Sequence, residues 1–134
     1  MNTITFVPDI YKGSIEVDIF IDDEPIDTKK ANYIVPSPGA IRASLEHLGK
    51  YECAIYTCSC GNAECAGIEM EVLATEKTIA WKMTHPLKFF YSFDYDQYAV
   101  AYEAFQKGLQ YLLDVRRMKC TDRPEYVRWL LEPL

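Results

Sequence analysis

The chain has 134 residues, 49% of them apolar and 25% charged, and a formal net charge of -6. This length suits one domain with its own hydrophobic core, so we predict a single domain spanning residues 1–134. The negative charge repels phosphate backbones and favours a basic partner, which argues against nucleic-acid binding. No apolar run is long enough to span a membrane, and the first residues lack the basic and apolar regions of a signal peptide. The sequence therefore predicts a cytoplasmic protein that does not contact membranes.

Two strands and an acidic loop are predicted in the first part of the chain. Thr3–Val7 has the composition of a strand, and the turn after it is marked by Pro8, Asp9 and Gly13. Apolar and polar residues alternate through Ser14–Ile21, which is typical of a strand with one buried face. Asp22–Asp27 then predicts an acidic loop containing a proline.

Carboxylates concentrate on the outward positions of this second strand and in the loop that follows. Such a run is often only a solvated surface, but it can also steer a basic partner by long-range attraction. Its spacing departs from that of an EF-hand loop, which argues against a calcium site. The partner-binding surface that we predict consists of Glu16, Asp18, Asp22, Asp23, Glu24 and Asp27.

A short helix and a series of strands are predicted next. Ser37 is a good N-cap, Pro38 suits the first helical position, and Gly49 suits the helix end. The strands are predicted at residues 52–58, 67–73, 78–83 and 87–93, where alternating apolar residues are separated by turn residues.

The last third of the chain predicts two helices. Asp94 and Gln97 resemble a capping box, and an apolar stripe runs from there to about Arg117. A shorter helix is predicted to start near Asp122, with Pro124 in its first turn and Glu125 completing a second capping box with Asp122. The stripe of the long helix has the spacing of a core-facing helix surface and consists of Tyr95, Tyr98, Tyr102, Phe105, Leu109 and Leu112.

Strands followed by helices indicate an α+β domain. We predict a single antiparallel sheet, a meander, with the long helix of the C-terminal half and the shorter helices packed on one face.

Three cysteines lie within eight residues, at Cys58, Cys60 and Cys65. They could bind zinc with His85, Cys120 or His47 as the fourth ligand, but zinc sites usually have two paired knuckles and only three ligands are local here. A redox thiol needs a nearby cation, whereas Glu64 adjoins Cys65. Buried thiols also pack as small apolar groups in a tight corner. The sequence leaves packing, zinc and redox chemistry open.

No nucleophile elbow, phosphate loop or dinucleotide fingerprint occurs in the sequence. The two histidines stand apart from any catalytic set. We therefore predict a protein that is not an enzyme and that needs no cofactor unless the cysteines hold zinc.

Part of the sequence resembles a group of small bacterial proteins with a Thr-Cys-x-Cys-Gly…Cys-x-Gly core. The resemblance lies in Tyr56–Gly61, Cys65–Gly67, the strand containing Trp81 and the helix start at Phe93–Tyr98, and it covers roughly residues 40–105. It implies no activity. In size and charge the chain is similar to bacterial immunity proteins of the contact-dependent growth inhibition type. That similarity implies direct binding to a basic toxin as the function.

Overall fold

The computed structural model describes residues 1–26, 35–56, 69–84 and 88–134. Within these ranges the chain forms eight strands and three helices. Their bounds in chain order are β1 Ile4–Tyr11, β2 Ser14–Ile21, β3 Glu24–Pro25, β4 Val35–Pro36, α1 Pro38–Glu46, β5 Gly49–Tyr56, β6 Glu69–Ala74, β7 Thr78–Met83, β8 Phe89–Asp94, α2 Tyr95–Asp114 and α3 Pro124–Leu131.

The α+β class and the antiparallel pairing are confirmed, but the described strands form two sheets instead of one. Their orders are β1-β2-β3 and β4-β5-β6-β7-β8. The sheets meet at one isolated parallel bridge between Asn2 and Phe93. Beyond it the side chain of Gln97 bonds the backbone of β1, because its Oε1 accepts from Ile4 N at 3.1 Å and its Nε2 donates to Ile4 O at 2.8 Å. The Gln97 side chain of α2 thus forms hydrogen bonds with the backbone of β1 where a neighbouring strand would otherwise pair.

Strand β1 is longer than predicted. It continues through Pro8 and Asp9, and the turn is the two residues Lys12 and Gly13, with φ of 51° and 84°. Pro8 lies opposite Val17 of β2 and is tolerated because β1 is an edge strand, whose other side has no strand partner among the described residues. A Cβ added at Gly108 of α2 would lie 2.8 Å from Pro8 Cγ, so the glycine in this helix allows the close approach.

The apolar stripe of α2 is the centre of the core. Tyr98, Tyr102, Phe105 and Leu109 are each at most 1% exposed. The Tyr98 ring packs edge-on against Phe6 of the first sheet at 5.2 Å and against Trp81 of the second at 6.0 Å. The α2 helix therefore packs against the inner faces of both sheets.

Both helix starts predicted for the C-terminal part can be compared with the structure. Asp94 caps α2 by accepting from Gln97 N at 3.1 Å, as predicted. The predicted cap at Asp122 is wrong, because Arg123 precedes α3 without a side-chain cap. The Asp122 carboxylate instead accepts from Ile15 N at 2.8 Å and ties this segment to the first hairpin.

A partly buried polar cluster joins the three helices. Glu46 Oε1 accepts from Arg42 Nε at 2.6 Å and from Trp129 Nε1 at 3.0 Å. The Arg42 guanidinium lies 5.7 Å from the centre of the Tyr102 ring. Burial raises the pKa of Tyr102 to about 12, and its hydroxyl donates to Leu130 O at 2.6 Å. Each polar group has a partner inside the fold, so the cluster is structural.

Candidate functional site

The outer face of the β1–β2 hairpin is the candidate site. Outward and inward residues alternate along both strands, and α2 packs against β1. The antiparallel register places Asp9 opposite Glu16, and Val7 opposite Asp18. We call this surface the acidic face and define it by the carboxylates Asp9, Glu16 and Asp18 and the outward apolar residues Val7, Tyr11 and Phe20.

The three carboxylates repel one another. Directly opposed side chains such as Asp9 and Glu16 have Cβ atoms about 5 Å apart, and Asp18 follows Glu16 on the same side after about 7 Å. Partial burial is the largest cause of the raised pKa of Glu16, followed by the charges of Asp9 and Asp18. The fold thus keeps these negative charges close enough to repel one another.

No cation of the described residues neutralises this face. The ion pairs within 4.0 Å in that part of the chain are Arg42–Glu46 and Lys50–Glu71, and both lie elsewhere. The nearest cation along β1 is Lys12 in the hairpin turn, whose Nζ lies 5.3 Å from the centre of the Tyr11 ring. Asp9 Oδ1 accepts from Ile10 N at 2.8 Å, but none of the three carboxylates has a cation partner among the described residues.

Chemically, the acidic face can accept charge-assisted hydrogen bonds from lysine or arginine side chains. Tyr11 is 55% exposed and Val7 is 40% exposed, so apolar contact area lies beside the charges. Large exposed aromatic side chains flanked by charge are typical of protein-binding surfaces. The outward residues of this face include no cysteine or histidine that could serve as a nucleophile or a base.

The structure divides the predicted partner-binding residues into two groups. Glu16 and Asp18 lie on the acidic face. Asp22 and Asp23 form the two-residue turn from β2 to β3, with φ of 52° and 65°, and Glu24 follows in β3. This turn is at the opposite end of β2 from the hairpin turn. Asp27 lies outside the described residues.

The carboxylate of Asp22 has a structural role, because it accepts hydrogen bonds at the turn. Its carboxylate accepts from Thr3 N at 2.8 Å and from Asn2 Nδ2 at 2.7 Å. The backbone hydrogen bond is the largest cause of the lowered pKa of Asp22. The residue thus helps to hold the start of β1 beside the turn.

Asp9 belongs to the face but is absent from the predicted set, because Pro8 and Asp9 look like turn residues. The signal was present in the sequence. Ile4, Phe6 and Ile10 keep the alternation of a strand across Pro8, and Lys12–Gly13 then leaves two residues for a hairpin turn.

The predicted zinc ligands Cys58, Cys60, Cys65 and His85 all lie outside the described residues, so zinc binding remains a prediction. Within the described ranges no group of three or more His, Cys, Asp or Glu side chains could hold a metal ion. Cys120 is described, and its half-buried Sγ lies 3.9 Å from Asp122 Oδ2.

Comparison with family models, with curated protein sequences and with solved structures gave no match to this chain. Among the helices that the structure describes, none is long and apolar enough to cross a membrane.

Proposed function

We propose that this protein is a non-enzymatic binding protein whose acidic face docks a basic protein, and that this partner is a toxin which the chain neutralises as an immunity protein. The observation that supports the proposal most is the set of three exposed carboxylates, Asp9, Glu16 and Asp18, without a cation partner among the described residues.

A basic partner would remove an unfavourable feature of the free protein. Partial burial and, after it, the charges of Asp9 and Asp18 raise the pKa of Glu16, so incoming lysine or arginine side chains would offset repulsion that is already present. Exposed ion pairs each contribute about 0.2–1 kcal/mol, so three of them mainly steer association and contribute less to the stability of the complex. We assign most of the binding energy to apolar contacts at Tyr11 and its neighbours, since aromatic anchors dominate interfaces.

The rest of the molecule is compatible with an inhibitor that neutralises a toxin by covering its surface. An inhibitor that covers a toxin surface needs a rigid face and a complementary charge, and it needs no catalytic group. The hairpin is held rigidly, because α2 packs beneath it and Asp122 and Gln97 bond its backbone. The overall charge of -6 would accelerate encounter with a basic protein.

The test uses a partner isolated with the protein from its own source. The acidic-face variant combines Asp9→Asn, Glu16→Gln and Asp18→Asn. The matched control combines Glu76→Gln, Asp96→Asn and Glu103→Gln, which removes the same charge from exposed positions elsewhere. We expect the acidic-face variant to lose at least about tenfold in affinity and much of its salt dependence, and the control to lose little. Equal losses in the two variants would refute the assignment of the face.

The toxin part of the proposal has its own test. Expression of the isolated partner should stop growth, and co-expression of this protein should restore it. The acidic-face variant should restore growth poorly while it remains folded by circular dichroism. A partner that does not impair growth would leave a basic binding partner but contradict the immunity function.

A further inference from the structure

A group of cations surrounds the turn of the same hairpin. Thr121 N donates to Gly13 O at 2.8 Å, so the segment between α2 and α3 passes directly beside the β1–β2 turn. Four basic residues lie within five positions of Thr121, and Lys12 lies in the turn itself. We call this group the cationic tip and define it as Lys12, Arg116, Arg117, Lys119 and Arg123.

The cationic tip is exposed and is not neutralised by its neighbours. All five side chains are exposed, and none forms an ion pair within 4.0 Å with a carboxylate of the described residues. Of the neighbouring carboxylates, Asp122 accepts from Ile15 N and Asp114 accepts from Gln110 Nε2. The five cations therefore have no ion-pair partner among the described residues.

Support of the helix dipole explains only part of this group. Arg116 and Arg117 directly follow the C-cap Val115 of α2, whereas Lys119 and Arg123 lie four and eight residues beyond it. The dipole effect falls off within about one turn of the helix end, so it does not account for Lys119 and Arg123. Lys12 and Arg117 also adopt positive φ, 51° and 52°, where glycine or asparagine would be less strained. Basic side chains thus occupy two positions that local backbone preference would give to other residues.

The charge of the rest of the chain restricts what can bind the tip. Residues 114–128 carry five cations and three carboxylates, whereas the remainder carries nine cations and seventeen carboxylates. A ligand that is acidic as a whole would be repelled during approach. A partner that is basic as a whole would be attracted, and a local acidic segment on it would match the tip at contact.

We propose that the cationic tip binds an acidic segment of the same basic partner that docks on the acidic face. This inference rests on the proposed function, since it assigns a second contact to that partner. Two adjacent patches of opposite sign would fix the orientation in which the partner docks, because reversal would place like charges together.

The distances allow one partner to reach both patches. Three residues of extended strand separate Glu16 from Gly13, which is about 10 Å. Arg117 lies four residues from Thr121, so at most roughly 14 Å more separates it from the turn. A rigid link of about 10–20 Å would therefore join ligands for the two sites.

The experiment uses three peptides: a lysine decamer, a glutamate hexamer, and a bipartite peptide that joins both through a spacer of about five prolines, roughly 16 Å long. The proline spacer keeps the oppositely charged ends apart. Affinities for the intact chain are measured by fluorescence anisotropy. A bipartite peptide with serines in place of the glutamates controls for length.

Two variants locate the second contact. The tip variant combines Arg116→Gln, Arg117→Gln, Lys119→Gln and Arg123→Gln. Its control combines Lys77→Gln, Lys82→Gln, Lys88→Gln and Lys107→Gln, which removes the same charge from exposed positions elsewhere. Both variants keep the acidic face unchanged.

We expect the bipartite peptide to bind at least about tenfold more tightly than its serine counterpart, by the gain from a tethered second contact. The gain should persist in the lysine control and disappear in the tip variant. Binding of the lysine decamer with no gain from the glutamates would overturn this inference and leave the proposed function intact. No binding of the decamer at low salt would contradict the proposed function itself. An equal gain in both variants would place the second contact elsewhere and overturn the inference as well.

Discussion

Replacement of Glu16 by glutamine should stabilise the folded protein. Glu16 faces Asp9 across the strands and lies near Asp18 along its own strand, and these charges contribute to its raised pKa. At about 5 Å and 7 Å in a medium close to water, each repulsion is worth roughly 0.6–0.8 kcal/mol before screening by salt. Screening reduces the sum, so we expect Glu16→Gln to raise the free energy of unfolding by about 0.5–1 kcal/mol at neutral pH.

The stabilisation by Glu16→Gln should depend on pH. The folded-state pKa of Glu16 is raised above its ordinary 4.5, so the folded state binds more protons than the unfolded state just above that pH. Its contribution to stability is therefore favourable at acid pH and is lost as pH rises through the folded pKa. The advantage of the glutamine variant should be full at neutral pH and should vanish below about pH 4.

Urea unfolding of Glu16→Gln, the wild type and Glu76→Gln measures this effect. Glu76 is exposed in the β6–β7 turn, so its variant controls for the loss of one negative charge from the chain. The gain of the Glu16 variant should shrink in about 1 M salt. A destabilised Glu16 variant, or a gain that the Glu76 variant shares in full, would refute the repulsion on the acidic face.

Three further predictions concern the scaffold and the cysteines. Glu46→Gln should lower the free energy of unfolding by about 1–2 kcal/mol, because Arg42 is only 4% exposed and would lose its charged partner. Thermal or urea unfolding measures this change, and an unchanged stability would show that the ion pair is dispensable. Gly108→Ala should lower the free energy of unfolding by about 1–3 kcal/mol even though alanine favours helices, because the new Cβ would lie 2.8 Å from Pro8 Cγ. A variant more stable than the wild type would contradict this contact. If the three clustered thiols only pack, elemental analysis should find less than about one tenth of a zinc ion per chain, and a chelator should leave the melting temperature unchanged. Stoichiometric zinc would support the metal interpretation.

Much of the fold could be predicted because periodicity reports which face of an element is buried. The stripe of α2 and the alternation in β2 gave the correct element types, and the Asp94 cap marked the correct start of α2. The division into two sheets could not be predicted in this way. It depends on Gln97 bonding the backbone of Ile4, a contact between residues 93 positions apart that leaves no local pattern.

The acidic face could be predicted only in part, for a physical reason. Glu16 and Asp18 follow from the alternation in β2, whereas Asp9 was hidden by local turn preferences that the tertiary contact of Pro8 with α2 overrides. The cationic tip was also not predicted as a unit. Its members come from separate parts of the sequence and meet because Thr121 bonds Gly13.

Native mass spectrometry of the protein purified gently from its own source, at its natural level, would show whether the chain binds a basic protein through its acidic face. We expect a complex with a basic polypeptide, which should dissociate as salt is raised and should be lost when the acidic-face variant replaces the wild type. A bare chain at its sequence mass, or a complex that the acidic-face variant keeps in full, would contradict it.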